Sequence, residues 1–79
     1  MDEAIHGRIN MLSEEEEALY RDAGDGGLSS AQLARLRSIR LELDQAWDLL
    51  HQREALRAAG LDPDQARARP LSTVERYEQ

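Results

Sequence analysis

The apolar residues in the first quarter of the chain recur at the spacing of one helical face. They fall at Ile5, Ile9, Leu12 and Leu19, which are four, three and seven positions apart. This spacing is typical of an amphipathic α-helix and differs from the alternation of a strand. Glu16 interrupts the stripe at a position where a heptad would place leucine. The pattern predicts a first helix over about residues 3–22 whose apolar face carries one carboxylate.

A glycine-rich segment ends this pattern and separates it from a second one. Three of the four residues at 24–27 are glycine, and each would cost a continued helix about 1 kcal/mol. Ser29 and Gln32 then have the spacing of a capping box. In this motif the side chain of each residue accepts a hydrogen bond from the backbone N–H of the other. We therefore expect a loop over residues 23–29 and a second helix from residue 30.

The second helix is long and has apolar residues on more than one face. Gly60 followed by Leu61 matches the end of a helix in a Schellman motif, so the helix should extend to about residue 59. Three leucines, at positions 41, 49 and 56, project away from the main stripe. That stripe consists of Leu36, Ile39, Leu43, Ala46, Trp47 and Leu50.

The remaining residues, 60–79, predict a tail with short helical turns. Asp62 before Pro63 supplies a cap and a first-turn proline, and Ser72 is a second candidate cap. The tail is expected to pack back on the second helix over Leu49 and Leu56. The fold class is therefore all-α, a single domain over residues 1–79 built as an antiparallel two-helix hairpin with a wrapped tail.

Antiparallel packing pairs residues whose numbers sum to about 55. Ile9 would then meet Trp47, and Glu16 would face Arg40. The sequence also suggests a structural polar network of Glu16, Arg40, Asp44, Gln45 and Trp47. The alternative is that Trp47 fills the core while the aspartates nearby face water.

Composition limits the chemistry that the chain can perform. It has 79 residues, 16 acidic and 10 basic, for a net charge of −6, and it contains no cysteine and no lysine. The excess of acid argues against binding to nucleic acid, and no apolar run approaches the roughly 20 residues that span a bilayer. A chain this small has little room for an enclosed active site. We expect a cytoplasmic protein that is not an enzyme.

Particular residues suggest two alternative functions, a metal site and a polymerase-binding hairpin. Asp48 and His51 have the spacing of acid and histidine ligands in carboxylate metal bundles, where Glu16 could add a carboxylate. Two observations argue against this site. The motif has aspartate at position 48 where such bundles have glutamate, and Glu16 lies on the apolar stripe whereas Asp48 points away from it. We therefore predict no metal and no cofactor. The acidic loop at the hairpin tip is also similar to factors that insert such a tip into RNA polymerase, an analogy of shape alone.

Self-association is the favoured function. A second helix of about 30 residues spans about 45 Å, which is long for a compact chain of this size. We expect a homodimer that forms a four-helix bundle, with Leu41, Leu49 and Leu56 as the candidate interface. The alternative is that the tail covers Leu49 and Leu56 within one chain. An unknown protein partner also fits the expected interaction module.

One set of residues extends over nearly the whole chain. It consists of Leu43–Leu50, Gln52, Arg53, Gly60, Asp62–Asp64, Arg67, Arg69 and Pro70, with Ile9, Leu12, Glu15, Glu16, Val74, Glu75 and Tyr77. In these residues the sequence resembles the small actinobacterial proteins grouped as domain-of-unknown-function family 2630. It departs from the expected family pattern at Glu17, Ala46, His51 and Glu54. The resemblance implies no activity.

Overall fold

The structure is a computed structural model that describes residues 2–24 and 26–70. Helix α1 spans Asp2–Asp22, helix α2 spans Ser30–Ala58, and a single 3₁₀ turn spans Pro63–Gln65. The two helices pack against each other, and the described residues contain no strand. The predicted all-α fold of two packed helices is confirmed.

The ends of α2 form as its sequence predicts. The Gln32 N–H donates to Ser29 Oγ at 3.1 Å, and the Ser29 N–H donates to Gln32 Oε1 at 2.8 Å. At the other end, Gly60 has φ +75° and the Leu61 N–H donates to the carbonyl of Leu56 at 2.8 Å. These are the bonds of a capping box and a Schellman motif. They fix where α2 starts and where the chain turns away from it.

The core is a single seam between the helices. Ile5, Ile9, Ala46 and Leu50 form one buried cluster, which confirms the predicted register because the facing residue numbers sum to about 55. Leu12 of α1 and Leu36 and Ile39 of α2 extend the seam toward the loop.

Trp47 is not in this core, contrary to the prediction that it meets Ile9. Its side chain is 43% exposed, whereas the neighbouring Ala46 is 2% exposed. Successive helical residues are about 100° apart, so only one of the two can point at α1. The small alanine takes that place in the buried cluster, and the large indole is left partly exposed to solvent.

Residues 60–70, which we name the strap, fold back along α2. The strap includes the 3₁₀ turn, capped by Asp62, whose side chain accepts from the Asp64 N–H at 2.9 Å. Its backbone carbonyls at Pro63, Arg67 and Arg69 accept hydrogen bonds from side chains of α2. The predicted packing of the tail is thus present over the strap. The second predicted turn, after Ser72, lies outside the described residues.

The molecule is elongated and thin. Its extents are 51 × 25 × 14 Å and its radius of gyration is 15.0 Å, against about 12 Å for a compact chain of this length. Two helices side by side form one layer, so most residues of each helix remain near the surface. No helix within the described ranges is long and apolar enough to cross a membrane.

Candidate functional site

Arg53 is a buried arginine whose ion pairs and hydrogen bonds join three parts of the chain. Its side chain is 7% exposed and donates to Asp2 at the start of α1, to Asp64 Oδ1 at 3.0 Å and to the carbonyl of Pro63 at 3.1 Å. Sequence reasoning missed this role. The signal was present, because Arg53 lies seven residues after Ala46 in the column that faces α1.

Two carboxylates are held by arginines of the opposite helix. The hydrogen bond from Arg53, together with the nearby charge of Arg57, lowers the pKa of the Asp2 carboxyl below its ordinary value. Arg35 donates to both oxygens of Glu15, and this hydrogen bonding likewise lowers the pKa of Glu15. Both contacts favour the charged carboxylate. They fasten α1 to α2 near each end of the hairpin.

The five residues of the predicted polar network are distributed over separate sites. Glu16 and Arg40 do form an ion pair, with Arg40 Nε 3.7 Å from Glu16 Oε2, but the Arg40 side chain is 54% exposed. Arg40 also donates to the Tyr20 hydroxyl. Asp44 is half-buried one turn after Arg40. Gln45 binds the strap, and so belongs to a different site.

Trp47 lies instead in an exposed column of α2. Leu33, Arg40 and Trp47 are seven residues apart and so share one helical face, which we name the Trp47 column. Leu33 is 53% exposed and Trp47 43% exposed. The Trp47 ring contacts that of His51, with centroids 6.0 Å apart. Two large apolar side chains therefore stand on this face with a cation between them.

A second face of α2 carries alternating amides and leucines. Gln45, Leu49, Gln52 and Leu56 are spaced four, three and four residues apart, and we name this set the glutamine face. The strap lies on it. Gln45 Nε2 donates to the carbonyl of Arg69 at 2.9 Å, and Gln52 Nε2 donates to that of Arg67 at 2.8 Å.

The predicted interface leucines are less available than the sequence suggested. Leu41, Leu49 and Leu56 are all half-buried within the chain. Leu49 packs against the buried cluster, and Leu56 lines a groove beside the strap. The seam thus covers Leu49 in part, whereas Leu56 borders an open groove that the strap does not fill. The alternative in which the tail covers both leucines stays a prediction.

Asp48 and His51 are not brought together with further ligands. Asp48 Oδ2 accepts from Gln52 at 2.8 Å and lies 3.2 Å from Arg69 Nε, so it is engaged by the strap. His51 contacts Trp47. Among residues 2–24 and 26–70, no group of three acidic or histidine side chains could hold a metal ion. The polymerase alternative rests on a loop tip that includes Asp25, which is outside the described residues, and stays untested.

Comparison with known proteins agrees with the earlier resemblance. The chain matches the family described as "Protein of unknown function (DUF2630)" over residues 1–79. It is similar to uncharacterized proteins of Mycobacterium bovis and Mycobacterium tuberculosis, each 50% identical over 70 residues that cover 87% of this chain and 80% of the relative. No solved structure matches it significantly. The chain therefore belongs to the DUF2630 family.

Proposed function

We propose that the protein is a non-enzymatic interaction module that acts by self-association. The observation that supports this most directly is a pair of large apolar side chains on one face of α2: Leu33 is 53% exposed and Trp47 is 43% exposed. Exposed apolar side chains that share a face are typical of protein interaction sites. They are the two apolar members of the Trp47 column.

The Trp47 column is the surface that a second copy fits. Leu33 and Trp47 lie seven residues on either side of Arg40. If two α2 helices cross antiparallel at Arg40, two-fold symmetry places Leu33 of each copy opposite Trp47 of the other. Each Trp47 then gains an apolar contact in place of water, and aromatic residues of this kind dominate interface energetics.

The charges support contact through α2. Residues 1–28 carry eight acids and two bases, whereas residues 29–60 carry four acids and five bases. Facing α1 helices would repel strongly, while facing α2 helices, with a net charge of +1 each, would repel far less. At the centre of the column, Arg40 is already paired with Glu16 and Tyr20, so the crossing does not bury an unpaired cation.

The proposal is tested by the molar mass in solution. Sedimentation equilibrium from low to high micromolar concentration should show a dimer whose population grows with concentration. Trp47→Glu should shift it to monomer, because a charge would enter the apolar contact. Leu61→Glu is the matched control, since Leu61 is 54% exposed on the strap and away from the column. A mass of one chain at every concentration would refute self-association.

A further inference from the structure

The glutamine face recognises the backbone of the strap, and Gln52 makes the central contact. Its amide donates from Nε2 to the carbonyl of Arg67 at 2.8 Å, and its Oε1 accepts from the Arg67 N–H at 3.3 Å. A side-chain amide that binds both backbone groups of one residue imitates the pairing of a neighbouring strand. Such a contact recognises an extended backbone and does not depend on which side chain occupies that position.

Asp48 positions Gln52 for this task. The carboxylate lies one turn before Gln52 and accepts its second N–H at 2.8 Å. Because an ionised carboxylate only accepts, the amide nitrogen must face Asp48 and the amide oxygen must face the Arg67 N–H. Both donors of Gln52 and its acceptor are then satisfied. Asp48, which is itself a residue of α2, thus holds the Gln52 amide in its binding orientation.

A second contact adds selectivity for arginine. Gln45 donates to the carbonyl of Arg69 at 2.9 Å, and Asp48 lies 3.2 Å from Arg69 Nε. The Arg67 side chain instead folds back along the strap and donates to the carbonyls of Asp64 and Ala66. The face therefore binds two backbone positions and one guanidinium.

The strap has the conformation that this face requires. Ala66 has φ −62° and ψ 143°, close to the polyproline II helix. Pro70 restricts Arg69 to extended conformations, since the proline ring excludes the helical region for the residue before it. Recognition of such preformed extended segments is a recurring way in which proteins bind peptides.

The strap is held mainly by these polar contacts. None of its residues is buried, and only Pro63 and Ala66 are half-buried. An open groove lined by Gln52, Ala55, Leu56 and Gln65 remains beside it, so the strap does not fill the face. Segments with few buried apolar contacts open at low free-energy cost. The face is thus available to a competing segment.

We propose that the glutamine face is a peptide-binding site for an extended segment that carries arginine followed by proline, as at Arg69 and Pro70. The strap is the ligand that occupies it within the chain. A partner protein with the same chemistry would bind by displacing the strap. The site lies on a different face of α2 from the Trp47 column, so it is independent of self-association.

The strap should compete strongly with a peptide in trans. A tethered segment has an effective concentration on the order of millimolar, so a free peptide binds the native chain weakly. Asp64→Ala with Arg69→Ala in the full chain removes the strap's ion pairs with Arg53 and Asp48. These substitutions alter no residue of the glutamine face.

The test uses a labelled peptide with the sequence of residues 61–70 and fluorescence anisotropy. The loosened chain should bind it roughly tenfold more tightly than the native chain, because the competitor is weakened. Adding Gln45→Ala and Gln52→Ala should remove this binding. Trp47→Glu, placed on the other face, should leave the affinity of the native chain unchanged, which separates this site from the dimer contact.

A chemical change in the peptide keeps the test independent of protein folding. Methylation of the backbone nitrogen at the position of Arg67 removes the N–H that Gln52 accepts, and it should weaken binding to the loosened chain. Equal affinity of the loosened and native chains, with helical content by circular dichroism preserved, would overturn the proposal. Undiminished binding of the methylated peptide and of the glutamine variants would overturn it as well.

Discussion

At the scale of single residues, size decides which side chain of α2 enters the seam. Ile39 is completely buried, while Trp47 is 43% exposed. Ile39→Ala should lower the free energy of unfolding by about 2–5 kcal/mol, because it leaves a cavity in a thin core. Trp47→Ala should cost less than about 1 kcal/mol under monomeric conditions. Urea unfolding at low concentration measures both, and equal losses would contradict this placement of the indole.

The carboxyl groups of Asp2 and Glu15 should make the stability of the fold depend on pH. The pKa values of Asp2 and Glu15 are lowered by Arg53 and Arg35 respectively. A carboxyl with a lowered folded-state pKa contributes stability above its unfolded pKa of about 4 and loses it as pH falls further. The urea midpoint should therefore be steady from pH 7 to about 5 and then fall.

The same residues supply the controls for this pH dependence. Asp2→Asn or Glu15→Gln should each make the acid-side fall shallower, since one paired carboxylate is gone. Glu14→Gln changes an exposed neighbour and serves as the matched control. A fall of unchanged steepness in both paired variants would show that these contacts do not govern acid stability.

At the scale of elements, α2 is bounded by its own local signals. Ser29→Ala should cost about 1 kcal/mol because it removes the N-cap acceptor. Gly60→Ala should cost about 1–2 kcal/mol, since φ is +75° and a Cβ is strained there. Ser30→Ala, one position inside the helix and exposed, is the control and should change little. Urea unfolding checks all three, and a neutral Gly60→Ala would contradict the Schellman end.

At the scale of the whole molecule, the absence of cysteine allows a direct test of the dimer geometry. Leu33 and Trp47 lie 14 residues apart on α2, or about 21 Å, so they cannot join within one chain. An equimolar mixture of the single variants Leu33→Cys and Trp47→Cys should form disulfide-linked dimers of the two variants on mild oxidation, because each such pair keeps one Leu33–Trp47 contact. Each variant alone should link far less, because like positions lie apart in the antiparallel crossing. Mass spectrometry and non-reducing electrophoresis read the product.

A failure to form the disulfide is informative as well, because sedimentation equilibrium measures separately whether a dimer is present. Linked dimers from either variant alone would indicate a parallel crossing, because like positions then face each other. Absence of any linked product, together with a dimeric mass, would place the second copy on another surface.

The sequence by itself determined the elements and their register. Spacing along α1, the glycine loop, the capping box and the Gly60 turn are local signals, and local backbone physics acts on a few neighbouring residues. The antiparallel register followed from folding the two helices together about the glycine loop. The Glu16 and Arg40 pair was predicted from that register, and the structure contains it.

The tertiary structure alone decided which face of α2 meets which part of the chain. Ala46 and Trp47 are adjacent and both apolar, so spacing could not say which enters the seam. In the structure the smaller side chain is buried there and the larger one is exposed. Arg53 joins Asp2 to Asp64, and Gln52 clamps Arg67, contacts that depend on where the strap returns. Such contacts link residues far apart in the chain, and local preference carries no information about them.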